Sequence, residues 1–503
     1  MFDNSKKRFD PKILTRLLQI SIPIIFVMII LFFFPFRNRF EFDGDEGIQL
    51  MKSMMVMKGY PLYDQVWSDQ PPLMTYILVP VLKIFGMEVN VGRFTVLILS
   101  ACLIWASFEF LRIVWGNLHA IAGAVLILLL PLYMTLSVSV MIGLPSLTFA
   151  MFSILSVAVW HIHRQTIFVV LSALAMSIST QIKLFSGFLI PIILIGLLLD
   201  EFHQHRRNFD FRVLMRPVLL WIFIFTAITL VITYFFVGLE NLEQLYMAHL
   251  RAVDARWAET YTINYHLRDS KSMLFLSMFG MIFTLLAKRW LTLYLVAWLG
   301  TAYLLLYFYT PVWDHHQLLV TLPAAMLAGI SVGECIHWFS ANVDKRDFIN
   351  FRSVLPSLAL GALMLVLYNQ IPVFFHQLEI RANLTSSPLL GAGEIKEDVF
   401  ERAKEYSGDT HWIVTNMTII PFRLNLPVPP NLVVFSSKRL KTNLISEEEI
   451  LQTIQDYSPE QVFISSRIEG INPYLEENYH LTYNARKLDF YIRNDIHEKH
   501  NLD

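Results

Sequence analysis

Long apolar runs, each near twenty residues and separated by short polar loops, constrain this chain more than any other feature. A helix needs about 20 apolar residues to cross the hydrocarbon core of a bilayer. About eleven stretches meet or approach that length, near residues 13–35, 94–114, 119–140, 146–163, 166–183, 185–199, 217–238, 271–287, 291–309, 318–337 and 354–373. The sequence therefore predicts an all-α polytopic membrane protein. Its composition agrees, with 55% hydrophobic and 16% charged residues, and nothing in it suggests nucleic-acid binding. The apolar stretch 72–86 is short and begins at the Pro71-Pro72 pair, so it reads as a re-entrant or interfacial helix. The first run follows Lys6, Lys7, Arg8, Lys12 and Arg16, is too long for a secretory signal and has no small-residue cleavage site after it.

Basic residues at span ends set the orientation, because Lys and Arg collect on the cytoplasmic side. With the N-terminus cytoplasmic, that side receives Arg112, Arg164, Arg206, Arg207, Arg212, Arg216, Lys288, Arg289, Lys345, Arg346 and Arg352. The outer side then holds the acidic loop 36–71, Lys183, the loop 239–270, the loop 310–317 and everything after residue 373. Nearly all the chemically suggestive residues thus face outward.

After residue 373 the apolar runs shorten to strand length. His411–Thr415, Leu432–Ser436, Gln461–Ser465 and Leu488–Arg493 read as strands, and Ser446-x-x-Glu449 is a capping box opening a helix to about Tyr457. Two domains are expected: 1–373 in the membrane, with outer loops 36–93, 239–270 and 310–317, and a small α/β extracytoplasmic domain at 374–503. Cys102 and Cys335 lie inside apolar runs and read as small buried hydrophobes.

The stretch Glu41–Leu73 carries the densest polarity. Carboxylates beside hydrocarbon are costly to desolvate, so they are kept where they face a water-filled cavity or a partner. Asp45 and Glu46 are the foremost candidates for proton transfer or acceptor positioning; spacing alone allows an equal case for capping the helix that follows. Asp43 is a weaker candidate. Lys183 and Arg93 suit either headgroup snorkelling or a phosphate at the membrane surface. His249 and the His315-His316 pair sit in outer loops; adjacent residues of a regular helix or strand point in different directions, so at most one of the pair is expected to face a site. No His-x-x-x-His or Glu-x-x-His spacing involves the His315-His316 pair, so no metal ligand is assigned, and a divalent metal stays an open possibility. Phosphate-binding loops, dinucleotide fingerprints and nucleophile elbows are missing as well.

The array Asp45-Glu46-Gly47, Gly59-Tyr60-Pro61-Leu62-Tyr63-Asp64, Trp67-Ser68-Asp69-Gln70-Pro71-Pro72-Leu73 and Gly92-Arg93 resembles the first outer loop of GT-C superfold glycosyltransferases. It looks most like bacterial relatives of dolichyl-phosphate-mannose protein mannosyltransferases and lipid A aminoarabinose transferases. The resemblance implies transfer of a sugar from a polyprenyl-phosphate donor to a hydroxyl on a glycolipid, wall polymer or protein, at the outer face of a bacterial plasma membrane. It implies Asp45 as base or orienting residue and inversion at the sugar. Lys183, Arg93, His249 and His316 would face the donor phosphate. Tyr60, Tyr63, Asp64, Trp67 and Asp69 would contact the acceptor or form a lid, as would loop 239–270. Where aminoarabinose-type relatives carry a Lys before the Pro-Pro pair, this chain has Gln70. Two rival readings are a transporter or flippase, which would place polar residues mid-bilayer, and a non-catalytic polymer-binding subunit.

Overall fold

The computed structural model describes residues 11–34, 36–205, 210–254, 257–342, 351–382, 391–464, 468–485 and 488–502. The basic residues before position 11, Arg206, Arg207, Lys345, Arg346 and Ser465 lie outside the described residues. The chain begins with α1 (Pro11–Phe33), α2 (Gly44–Met57), α3 (Leu73–Phe85), α4 (Val89–Trp115), α5 (Asn117–Leu128) and the single turn α6 (Tyr133–Leu136). It continues with α7 (Gly143–His163), α8 (Thr166–Ile182), α9 (Leu189–Gln204), α10 (Phe211–Phe236), α11 (Leu242–Asp254) and the short α12 (Ile263–His266). Then follow α13 (Lys271–Ala287), α14 (Leu293–Phe308), α15 (Leu318–Asn342) and α16 (Phe351–Ala382).

Among the described residues, nine helices are long and apolar enough to cross a membrane, and α3, α5 and α8 are shorter apolar helices. Burial sorts them. The α15 span is 83% buried and forms the bundle's centre, whereas the spans of α1 and α10 are 11% buried and turn their apolar side chains outward, as lipid-facing helices do. The expected span 119–140 is broken: α5 stops at Leu128, Leu132 adopts φ 62°, and only one further turn follows. Pro131 explains the break, since it lacks an N–H and disfavours helix at the preceding residue.

The C-terminal part contains α17 (Gly391–Glu405), β1 (Ile413–Thr415), α18 (Ile419–Leu424), α19 (Ser437–Lys441) and α20 (Glu447–Tyr457). After these come β2 (Gln461–Ile464), α21 (Asn472–Asn478), β3 (Tyr479–Ala485), β4 (Leu488–Arg493) and α22 (Asn494–Leu502). The sheet order is β1-β2-β4-β3, with β1 parallel to β2 and the other pairs antiparallel. The capping box of α20 is present, Ser446 Oγ accepting from Glu449 N–H and the Glu449 carboxylate from Ser446 N–H. The expected strand Leu432–Ser436 does not form. Pro429 and Pro430 lead into a 3-10 turn, and Val433, Val434 and Phe435 are buried without forming a strand. The fourth strand is Tyr479–Ala485, hairpinned onto β4.

Two apolar cores result. One fills the bundle; the second joins Leu50, Met51, Met54 and Met55 of α2 to Ile419, Ile420 and Phe422 of α18 and to the sheet. Gly47 makes this packing possible, because a Cβ there would stand 2.5 Å from Ile419 N. The C-terminal part is thereby fastened onto the first loop.

Candidate active site

The organising helix is α2. Asp43 caps it with extended backbone (φ −154°, ψ 151°), its carboxylate accepting from Asp45 N–H at 2.9 Å, and the acidic first turn suits the positive helix end. Helical spacing then puts Asp45, Gln49 and Lys52 on one face and Glu46 on another. Asp45, Gln49 and Lys52 line a cavity of about 420 Å³ at one end of the bundle. The other walls are the Met141–Gly143 segment at the start of α7, Lys183, Asp69, His249, Tyr309, the 313–316 turn, Asn416 and residues 434–438 of the C-terminal part.

Asp45 is exposed, but toward this cavity. Surrounding protein still removes much of its water, so burial and then Asp69 raise its pKa, against the pull of Lys183, Lys438 and Lys52. Burial pushes the Lys183 ammonium down to about 8, although Asp45 opposes the shift. Among the described residues no hydrogen bond or ion pair engages the Lys183 Nζ; its contact is the Phe185 ring, 5.6 Å away. The nearby N-terminus of α7 has no acidic residue in its first turn, leaving its N–H groups and positive dipole end beside Lys183.

Glu46 and Arg93 are elsewhere. Both side chains are fully buried and joined at 2.8 Å, outside the cavity lining. The Glu46 carboxylate accepts from Arg93 Nε and Nη2, Phe42 N–H and Val140 N–H. Arg93 also donates to the carbonyls of Phe36, Arg39 and Phe40. Neither has capacity left for a substrate, so this pair holds the loop.

His249 and His316 do reach the cavity, and so does His315, against the expectation for adjacent histidines, because the pair lies in a 3-10 turn at the cavity wall. The Asp69 carbonyl can only accept, so His249 Nε2 carries the proton it donates there (3.1 Å), and Nδ1 accepts from Tyr309 Oη (3.3 Å). Burial lowers the His249 pKa, which keeps the ring neutral. His316 Nδ1 accepts from Trp313 N–H at 3.2 Å. Of Tyr60, Tyr63, Asp64, Trp67 and Asp69, Asp69 lines the cavity, next to Gln70. Tyr63 donates to the Gln70 carbonyl, Asp64 accepts from Asn241, Trp67 lies under Arg439, and Tyr60 packs on Trp412.

Several cavity residues were not singled out from sequence. Lys52 is fully buried, donates to Ser68 Oγ at 3.4 Å and is pushed down to about 8 by burial. Among the described residues, Gln49 Oε1 is buried without a hydrogen-bond partner. Lys438 pairs with Asp69 at 2.6 Å. The i, i+4, i+7 face shared with Asp45 was a readable signal for Gln49 and Lys52; Lys438 left none. Asp43, Asp314 and His315 bring ligand atoms within 4.8 Å of one another, and these three could hold a divalent cation. Burial and the Asp45 charge raise the Asp43 pKa to about 7, a cost that a cation would relieve.

Residues 69–232, about a third of the chain, match the family model for dolichyl-phosphate-mannose-protein mannosyltransferase. No curated protein sequence matches the chain. Among solved structures, apo ArnT from Cupriavidus metallidurans superposes with a TM-score of 0.60 at 14% identity, covering 96% of this chain and 98% of that one. ArnT bound to undecaprenyl phosphate gives 0.57 at 12% identity, covering 95% and 97%. The Archaeoglobus fulgidus oligosaccharyltransferase gives 0.58 at 11% identity, covering 90% and 70%. The chain therefore shares the fold of these structures, the GT-C superfold.

Proposed function

We propose that this protein moves a sugar from a polyprenyl-phosphate carrier to an acceptor hydroxyl, on the outer face of a bacterial plasma membrane. The observation that carries the reading is the meeting, in one cavity, of the Asp45 carboxylate with an ammonium, Lys183, that has no described hydrogen-bonding or ionic partner. In this reading Asp45 takes the proton of the acceptor hydroxyl as its oxygen attacks the anomeric carbon. The bond from that carbon to the phosphate oxygen breaks, and its electron pair leaves with polyprenyl phosphate. Lys183 and the α7 N-terminus stabilise the departing charge. A single displacement inverts the anomeric centre. His249, neutral and fully hydrogen-bonded, positions Asp69 instead of binding phosphate as a cation, and His316 stays a candidate phosphate neighbour. The Tyr60–Pro72 segment and loop 239–270 would keep water from competing for the donor.

The likeness to ArnT bound to undecaprenyl phosphate, and to the archaeal oligosaccharyltransferase AglB in complex with a dolichol-phosphate, supports a lipid phosphate as donor carrier. The acceptor is a glycolipid, a wall polymer or a protein. An N-terminus in the cytoplasm, membrane residues 1–373 and an outer unit from 374 complete the proposed arrangement.

The test is release of polyprenyl phosphate from a panel of radiolabelled polyprenyl-phosphate sugars by membranes carrying the protein, Asp45→Asn or Lys183→Ala. One donor should be consumed, and each variant should lose at least roughly tenfold, about 1.4 kcal/mol of transition-state stabilisation. Turnover of no donor, or an Asp45→Asn variant equal to wild type, would point instead to transport or polymer binding.

A further inference from the structure

We propose that Lys438, contributed by the C-terminal part, is a donor-phosphate ligand held in reserve by Asp69, which it leaves when the lipid phosphate enters. The inference rests on the donor reading above and extends it to a residue 369 positions away in sequence.

Four observations carry it. The Lys438–Asp69 pair is largely withdrawn from solvent, with side chains 13% and 11% exposed, yet both line the cavity. Burying two charges costs several kcal/mol per ion before their attraction repays it, so such a pair is weak as a stabilising device and better suited to a switch. Asp69 also has a replacement partner: Lys52 stands close enough to act on its charge. When Lys438 departs, the carboxylate is therefore not orphaned. Lys438 already acts electrostatically on Asp45 and Lys183, so it lies within range of the place where the phosphate is expected. Finally, its base is fixed. α19 is anchored by Ser436 Oγ accepting from Arg439 N–H, and Arg439 donates to the carbonyls of Asn431 and Val434. Only the flexible lysine stem has to move.

Exchange of partners makes the two variants differ in sign, which a purely structural bridge does not. The probe is undecaprenyl phosphate, titrated against the full-length protein in nanodiscs, with thermal unfolding measured in parallel. Lys438→Met should weaken binding by roughly tenfold, the worth of one charge-assisted hydrogen bond. Asp69→Asn should tighten it by roughly threefold or more, because the ammonium no longer has to be drawn off a carboxylate. Lys438→Arg should retain binding and covers the case in which Lys438→Met fails to fold. Weakened binding in both Lys438→Met and Asp69→Asn, or wild-type affinity in Lys438→Met, would overturn the inference while leaving the donor reading intact. No binding by wild type would overturn both.

Discussion

Two buried ion pairs frame the first loop, and they differ in what surrounds them. Glu46–Arg93 is saturated: every oxygen of the carboxylate is taken, and the guanidinium's remaining donors end on three backbone carbonyls. Asp69–Lys438 is a single contact on a cavity wall, with further charges close by. The first is a fastening and the second leaves both partners free to exchange. Two carboxylate–cation pairs in the same loop acquire different uses because one is closed by backbone and the other opens on water.

The most severe way to break the comparison is Arg93→Met. It strands a buried carboxylate, and removing one partner of a buried pair costs about 3–5 kcal/mol. Thermal unfolding of the purified protein should show that loss, and Glu46→Gln should share part of it. A stability change below about 1 kcal/mol would mean that the pair does not hold the loop.

Gly47→Ala comes next. Its Cβ would press on the backbone of α18, which cannot rotate away as a side chain can, so overpacking of about 1–3 kcal/mol is expected. The sharper readout is proteolysis: the C-terminal part should become cleavable before the bundle does. Equal protection of both parts would show that α2 does not fasten the tail.

The smallest effect is a pH dependence. Lys183, held at about 8, is charged below that value and neutral above it, so kcat/KM for the donor should fall as pH rises through about 8, approaching tenfold per unit. Lys52 titrates in the same range. Lys183→Arg therefore decides the assignment, since a guanidinium stays charged and should carry the alkaline limb upward. A limb unmoved in Lys183→Arg would assign it to Lys52.

What the sequence disclosed follows from how local the signals were. Asp45, Lys183, His249 and His316 were legible because polar groups stand out beside apolar runs, and charge bias put them on one side. The partnering of Glu46 was not legible, because Val140 and Arg93 reach it only through the fold. Lys438 was invisible for a different reason. In Ser436-Ser437-Lys438-Arg439 nothing local distinguishes a lysine facing water from one facing a cavity. The same limit misplaced a strand: Leu432–Ser436 has strand composition, but the preceding prolines and the cavity wall decided its conformation.

Placing α19 on the cavity wall also sets a clock. Asp69 and Lys438 are separated by 369 residues, which at about 5–20 residues per second is roughly 20 to 70 s of synthesis. Through that interval α2, Lys183 and the His315-His316 turn can already have assembled, with the site still unroofed. The cavity thus stays without its Lys438 wall until α19 is made, and a truncation between α16 and α19 leaves the membrane helices complete around an unfinished cavity.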